Sequence, residues 1–318
     1  MEEETIDKNI QKQYDDYNNG FFIRLAREAI ANNYNIAGLF PFKPVPASKA
    51  TIVNQAPIDK FVDQITGKLR PLAKGAKARR LRGTTVSPSG LQLSYSEFEY
   101  EIDWEDLKDP SINLGTEIES MSYLVALEIN DFILEVVRNN AQKIVDPKIK
   151  GEWEDSATEF AQIARDIRRF KDLSKSYKLD LVCLGDEAKF ELDTKAAKET
   201  LPYQIPKTGF TLEDNIQTMS MNCASGGAGM GVGEVFVFPS LTPAVNVRFQ
   251  EFDNSNVQNA GIAPELAKFA PPIKMLMFDN SDEEIKPTTT IKMGYAVGAF
   301  PTRNGKAMFQ LADILQEL

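Results

Sequence analysis

The chain has 318 residues, with 46 acidic and 36 basic side chains, two cysteines and no histidine. With 42% hydrophobic and 26% charged residues, it has the composition of a soluble globular protein, long enough for one large domain or two modest ones with a core. The missing histidine excludes Ser-His-Asp and Cys-His catalysis, His-bearing zinc sites and facial-triad iron sites, leaving lysine, carboxylate and tyrosine chemistry.

Met1 to Gly20 is acidic and polar, so no secretory signal is expected there. Residues 1–53 hold one amphipathic segment, Phe21 to Asn32. Phe21, Phe22, Leu25, Ala29 and Ile30 are expected to share its buried helical face. The three prolines of Phe40 to Pro46 end it, and an arm with so little apolar area has to lie on something else.

Two segments of opposite charge follow. Lys68, Arg70, Lys74, Lys77, Arg79, Arg80 and Arg82 give Lys68 to Arg82 a charge of +7. Glu97, Glu99, Glu101, Asp103, Glu105, Asp106 and Asp109, against Lys108, give Glu97 to Asp109 a charge of −6. The acidic segment alternates as a half-buried strand, with Phe98, Tyr100, Ile102 and Trp104 on one side and carboxylates on the other. Leu91, Leu93 and Tyr95 alternate in the opposite phase, which predicts a bulge or a change of packing near Ser96.

Thr116 to Asn139 reads as a long, deeply packed helix through Ile118, Met121, Val125, Ile129, Phe132 and Val136, with Leu124, Ile133 and Val137 widening the stripe. Glu128, Asp131 and Glu135 argue against a membrane span in the same stretch. A second helix is expected from Ser156, at capping-box spacing from Glu159, through Phe160, Ile163, Ile167 and Phe170. A strand (Leu179 to Leu184), a turn at Gly185-Asp186 and a short helix (Glu187 to Leu192) come next. Further strands are expected at Glu234 to Phe238, Val245 to Gln250, Ile273 to Phe278, Thr289 to Phe300 and Lys306 to Leu311. The last two are read as a hairpin closed by Asn304-Gly305. The order is α+β rather than repeated βαβ, with no internal repeat.

No segment carries a catalytic or cofactor signature. The glycine-rich run Ser225 to Gly233 fits no GxGxxG or Gly-Lys-Ser/Thr frame and is followed by a strand pattern, so it reads as a surface loop. Asp279 to Glu284 lacks EF-hand spacing and reads as a solvated turn. The carboxylates at 97 to 109 could pair as acid and base, but alternation leaves them on one strand face with no evident opposing wall. Cys183, in an apolar run, reads as a buried structural thiol, and with Cys223 it makes neither a zinc site nor a disulfide framework. No cofactor, metal or catalytic residue is assigned.

Three readings of the charge runs stay open: two solvated faces, nucleic-acid binding, or contact between copies. The basic run has no aromatic residue for base stacking, and the net charge of −10 opposes general coating of nucleic acid. Complementary charge at a rim sets partner and register, so contact between copies would use Lys68, Arg70, Lys74, Lys77, Arg79, Arg80 and Arg82 of one against Glu97, Glu99, Glu101 and Asp103 of the next.

Two stretches resemble a known family. Leu179-Asp180-Leu181-Val182-Cys183-Leu184-Gly185-Asp186-Glu187-Ala188-Lys189-Phe190 looks like its axial-domain opening. Ile291 to Pro301, ending in Gly305-Lys306-Ala307-Met308, looks like its closing strands. With the order of elements, they make the chain resemble a major capsid protein of a tailed virus with the Hong Kong 97-type fold, which encapsulin shells share. The resemblance implies an amino-terminal arm at 1–53, an extended hairpin loop with its flanks at 54–110, and a peripheral domain with a spine helix at 111–177. An axial domain at 178–270 and return strands at 271–318 complete it. It also implies a non-enzymatic virion protein, assembled in the host cytoplasm into pentamers and hexamers around double-stranded DNA. Scaffolding, portal and decoration proteins would be its partners, and no membrane is involved. An encapsulin-type compartment is the alternative, and an acidic α+β enzyme or nucleotide-binding protein the second. Some such proteins crosslink a hairpin lysine to a neighbour's asparagine. Lys74, Lys77 and Asn304 are available for this, but no motif carries that chemistry over.

Overall fold

A computed structural model describes residues 11–12, 15–33, 40, 42–46, 49–52, 89–107, 109, 111–146, 148–170, 173, 179–199, 217–220, 233–239, 244–252, 270–280, 288–302, 307–311 and 314–315. The basic run at 68–82, the body of the glycine-rich run, Cys223 and Asn304-Gly305 lie outside them. The helices are α1 (Phe21–Asn33), α2 (Trp104–Leu107), α3 (Leu114–Asn140), α4 (Phe160–Phe170) and α5 (Asp186–Glu199). The strands are β1 (Phe42–Val45), β2 (Lys49–Ile52), β3 (Ser89–Gln92), β4 (Ser94–Asp103), β5 (Gln142–Ile144), β6 (Leu181–Leu184), β7 (Gln217–Ser220), β8 (Val235–Phe238), β9 (Val245–Gln250), β10 (Lys274–Asn280), β11 (Thr288–Pro301) and β12 (Phe309–Leu311). The chain divides into two compact units, Met1–Ala50, Gly90–Ile133 and Val247–Ala299 in one, and Thr51–Ser89, Leu134–Asn246 and Phe300–Leu318 in the other.

The first unit is built on a sheet in the order β1-β9-β11-β10, with β4 also paired to β11. β4 and β10 run antiparallel to β11, and β1 runs parallel to β9. Pro44 fits in β1 because β1 ends the sheet path, where a strand can lack an N–H. Ile291, Met293 and Tyr295 are buried, and Ser122 Oγ of α3 lies 3.9 Å from the Met293 sulfur, so α3 covers this sheet face. Its buried stripe is Ile118, Met121, Ser122, Val125, Ala126, Ile129, Asn130 and Ile133. Leu124 is instead exposed and Phe132 half-buried, so the apolar stripe read from sequence is turned by about one residue. Ser122 is tolerated in the core because its hydroxyl donates back to Ile118 O at 2.6 Å.

Helix α1 is also turned from its expected face. Phe22, Ile23, Ala26 and Ile30 are buried, while Phe21 is exposed and Leu25 and Ala29 are half-buried. β4 keeps one continuous register on β11 from Ser94↔Val297 to Asp103↔Thr288, so no bulge lies at Ser96. The break falls at Leu93, between β3, which pairs with β2, and β4.

The second unit is built on a sheet in the order β5-β12-β8-β6-β7. The expected β11–β12 hairpin is absent, since β12 pairs with β5 and β8. After β11 the chain is held elsewhere, Thr302 donating both its amide and its hydroxyl to Ala244 O at 2.8 and 2.9 Å. The core joins Ile163, Ile167 and Phe170 of α4 to Leu192 and Ala196 of α5 and to Val182, Val235 and Phe309 of the sheet.

α4 begins at Phe160, with the Glu159 carbonyl accepting the Gln162 amide at 2.9 Å; Ser156 is exposed and caps nothing. The loop before it is clamped from two sides. Buried Asp166 accepts Trp153 Nε1–H at 3.1 Å and the Lys150 and Gly151 amides at 3.3 Å. Buried Lys195 donates to the carbonyls of Trp153 and Asp155. α5 continues past Leu192 to Glu199, with Lys195 in this clamp and Ala196 in the core. Cys183 is buried and free, and desolvation pushes its thiol far up, as expected for a structural residue.

Candidate functional site

The candidate interface is strand β4. Its alternation places Glu97, Glu99 and Glu101 outward, exposed, while Phe98 and Tyr100 are half-buried and Ile102 is buried. The structure thus brings Glu97, Glu99, Glu101 and Asp103 together on one strand face. Lys68, Arg70, Lys74, Lys77, Arg79, Arg80 and Arg82 lie outside the described residues.

Pairing with β11 gives these carboxylates partners within their own chain. Glu99 sits opposite Lys292 and bonds its ammonium at 2.7 Å. That hydrogen bond is the largest influence raising the Lys292 pKa. The same ammonium lies 5.5 Å above the Phe278 ring of β10, in cation–π geometry. Thr288 Oγ1 donates to Glu101 Oε1 at 2.8 Å, and Tyr95 OH donates to Glu97. Tyr95 is pushed up to about 12, mainly by desolvation and then by its bond to Glu97. Its ring lies over Gly294, where an added Cβ would meet the phenol oxygen at 2.5 Å.

Two carboxylates of α3 hold the other side of the strand. Glu128 accepts Ser96 Oγ–H at 3.1 Å and the Tyr295 hydroxyl at 2.6 Å. Burial, followed by that bond, drives the Tyr295 pKa far up. Tyr100 is raised in the same sense, by burial first and then by Glu117. A cleft of about 450 Å³ opens between β4 and the start of α3, lined by Glu101, Asp103, Asp106, Asn113 and Glu117 among others. Asn113 Oδ1 accepts the Gly115 amide at 2.9 Å and so caps α3 beside it. Among the described residues no group of three or more carboxylates or thiols is placed to hold a metal ion.

Lys292, Thr288 and Glu117 are members of this region that the sequence does not single out, and Tyr95 and Glu128 stand out in it only for strand phase and for charge within a helix. Lys292 interrupts an apolar alternating strand, which was a usable signal. The register that sets it opposite Glu99 was not.

No protein-family model matches the chain, and no curated protein matches it in sequence. Among solved structures, a virus-like particle from Pyrococcus furiosus is similar, at 8% identity and TM-score 0.51, over 90% of this chain and 97% of that one. The mature capsid of bacteriophage PhiM1 is similar at 11% identity and TM-score 0.50, over 86% and 85% of the two chains. An encapsulin complex from Synechococcus elongatus gives 11% identity and TM-score 0.46, with 88% of each chain covered. The first two extend the likeness over most of both chains and to both of the units described above. The α+β architecture of this chain is the Hong Kong 97-type fold found in phage capsid proteins and encapsulins.

Proposed function

We propose that this chain is a major capsid protein, a structural subunit that self-assembles into pentamers and hexamers of an icosahedral head around double-stranded DNA. The observation that carries the reading is the near end-to-end likeness of fold to subunits of a virus-like particle and a phage capsid. Closed symmetry explains why a subunit needs complementary patches on one chain. On this reading 111–177 with α3 and 271–318 form a peripheral domain, 178–270 an axial domain, 1–53 an arm and 54–110 the hairpin with its flanks. The role is structural, with assembly in the host cytoplasm and scaffolding, portal and decoration proteins as partners. The basic run of one copy docks on the acidic face of β4 in the next.

Size-exclusion chromatography and negative-stain microscopy of the purified chain test the reading. Uniform closed particles are expected, and a 35.5 kDa monomer under every assembly condition would sink it. Particles filled with one protein cargo instead of nucleic acid would move the assignment to an encapsulin-type compartment.

A further inference from the structure

We propose that the arm helix α1 is a fixed part of its own subunit, held there before and after assembly. The inference rests on the shell reading only for its statement about assembled particles. Phe22 is 3% exposed, and Ile23, Ala26 and Ile30 are fully buried, all within a single chain. An arm that completes itself on a neighbour would leave this face open.

Side-chain bonds from or beside α1 reach the backbone at three separate points of the same unit. Tyr17 OH, just before α1, donates to Met275 O of β10 at 3.4 Å. Arg27 Nη2 donates to Ala270 O at 3.5 Å. Asn130, fully buried on α3, donates from Nδ2 to Asn33 O at 3.1 Å and so holds the last turn of α1. At the other end of the contact Leu25 packs on α3 at Gly115, where an added Cβ would lie 3.5 Å from Leu25 Cδ2. A side-chain contact at one end and a buried amide at the other set both position and register.

Amide exchange by mass spectrometry on the wild-type chain tests this without any variant. The amides of Phe22 to Ile30 are expected to exchange within about tenfold of those of Ile118 to Ile129, in free subunits and in particles alike. Exchange of α1 that is about a hundredfold faster in the free subunit, and slowed only by assembly, would overturn the proposal.

Crosslinking adds a second readout in a Cys223→Ser background. The Leu25→Cys/Gly115→Cys chain, treated with a short thiol crosslinker, is expected to give a product of single-chain mass. Mixed particles of the two single variants are expected to give none. A two-chain product in the mixture, or no crosslink in the double variant, counts against it. Failure to form particles would count against the shell reading alone, since exchange and single-chain crosslinking in the free subunit still decide the arm.

Discussion

Tyr295 and Asp166 are buried groups whose ionisation the fold opposes, and both make stability depend on pH in a defined direction. Tyr295 has its pKa raised above the ordinary 10, so the native state keeps its proton where the unfolded chain has lost it. Its contribution is whole below pH ~10 and falls as pH rises beyond that. Tyr295→Phe is expected to cost about 1 kcal/mol at neutral pH, for the lost bond to Glu128, and to lose stability more slowly than wild type in urea titrations above pH ~10. An unchanged alkaline slope would contradict this. Asp166 is raised by burial against the opposing effects of its three N–H donors. A raised carboxyl contributes most below the ordinary value of ~3.9, and less as pH climbs through the folded value. Asp166→Asn leaves one acceptor oxygen for three donors and puts an NH2 among them. A loss of about 2–3 kcal/mol at neutral pH is expected in equilibrium unfolding. Subtracting the variant's profile from that of wild type should leave a stability that declines with rising pH.

At the level of elements, α3 organises the first unit, and its two faces differ in what they tolerate. Ile129 is fully buried against the sheet, so Ile129→Ala is expected to destabilise by about 2–5 kcal/mol through lost burial and a cavity. Leu124 is 51% exposed, so Leu124→Ala is expected within about 0.5 kcal/mol of wild type. Chemical denaturation of the pair separates the observed face from the one the hydrophobic pattern implied, since that pattern places both residues inward. The hydrophobic pattern misplaces the stripe because Ser122 and Asn130 occupy core positions as polar residues, each donating to a backbone carbonyl. Pattern reading counts them as surface and rotates the face to compensate.

For the whole molecule the question is which surface meets another copy. The face of β4 is acidic, but Lys292 neutralises part of it at Glu99, so Glu97, Glu101 and the cleft beside Glu117 are left as its more anionic parts. Reversing Arg79, Arg80 and Arg82 to glutamate is expected to abolish or sharply reduce particle formation, while circular dichroism and thermal melting stay close to wild type. Assembly of wild type should weaken with added salt if exposed charge sets the contact, since screening shortens its reach to ~8 Å at physiological ionic strength. Normal particles from the triple variant would refute docking through the basic run without touching the fold.

Composition, periodicity and order of elements were enough to establish an α+β chain, the long central helix, the alternating acidic strand and the absence of histidine-based chemistry. These depend on local spacing, which a single segment carries by itself. Tertiary structure decided the rest: the turned faces of α1 and α3, the separation of β11 and β12 into different sheets, and the partners of the acidic row. Each depends on which distant segment lies opposite. The Asn304-Gly305 signal describes a turn between neighbours in sequence, whereas β12 gains more from lying between β5 and β8, where its apolar residues complete a core. Glu99 meets Lys292 for the same kind of reason, because a register across 193 residues of chain is set by the burial of Ile291, Met293 and Ile102 and by nothing local to either strand.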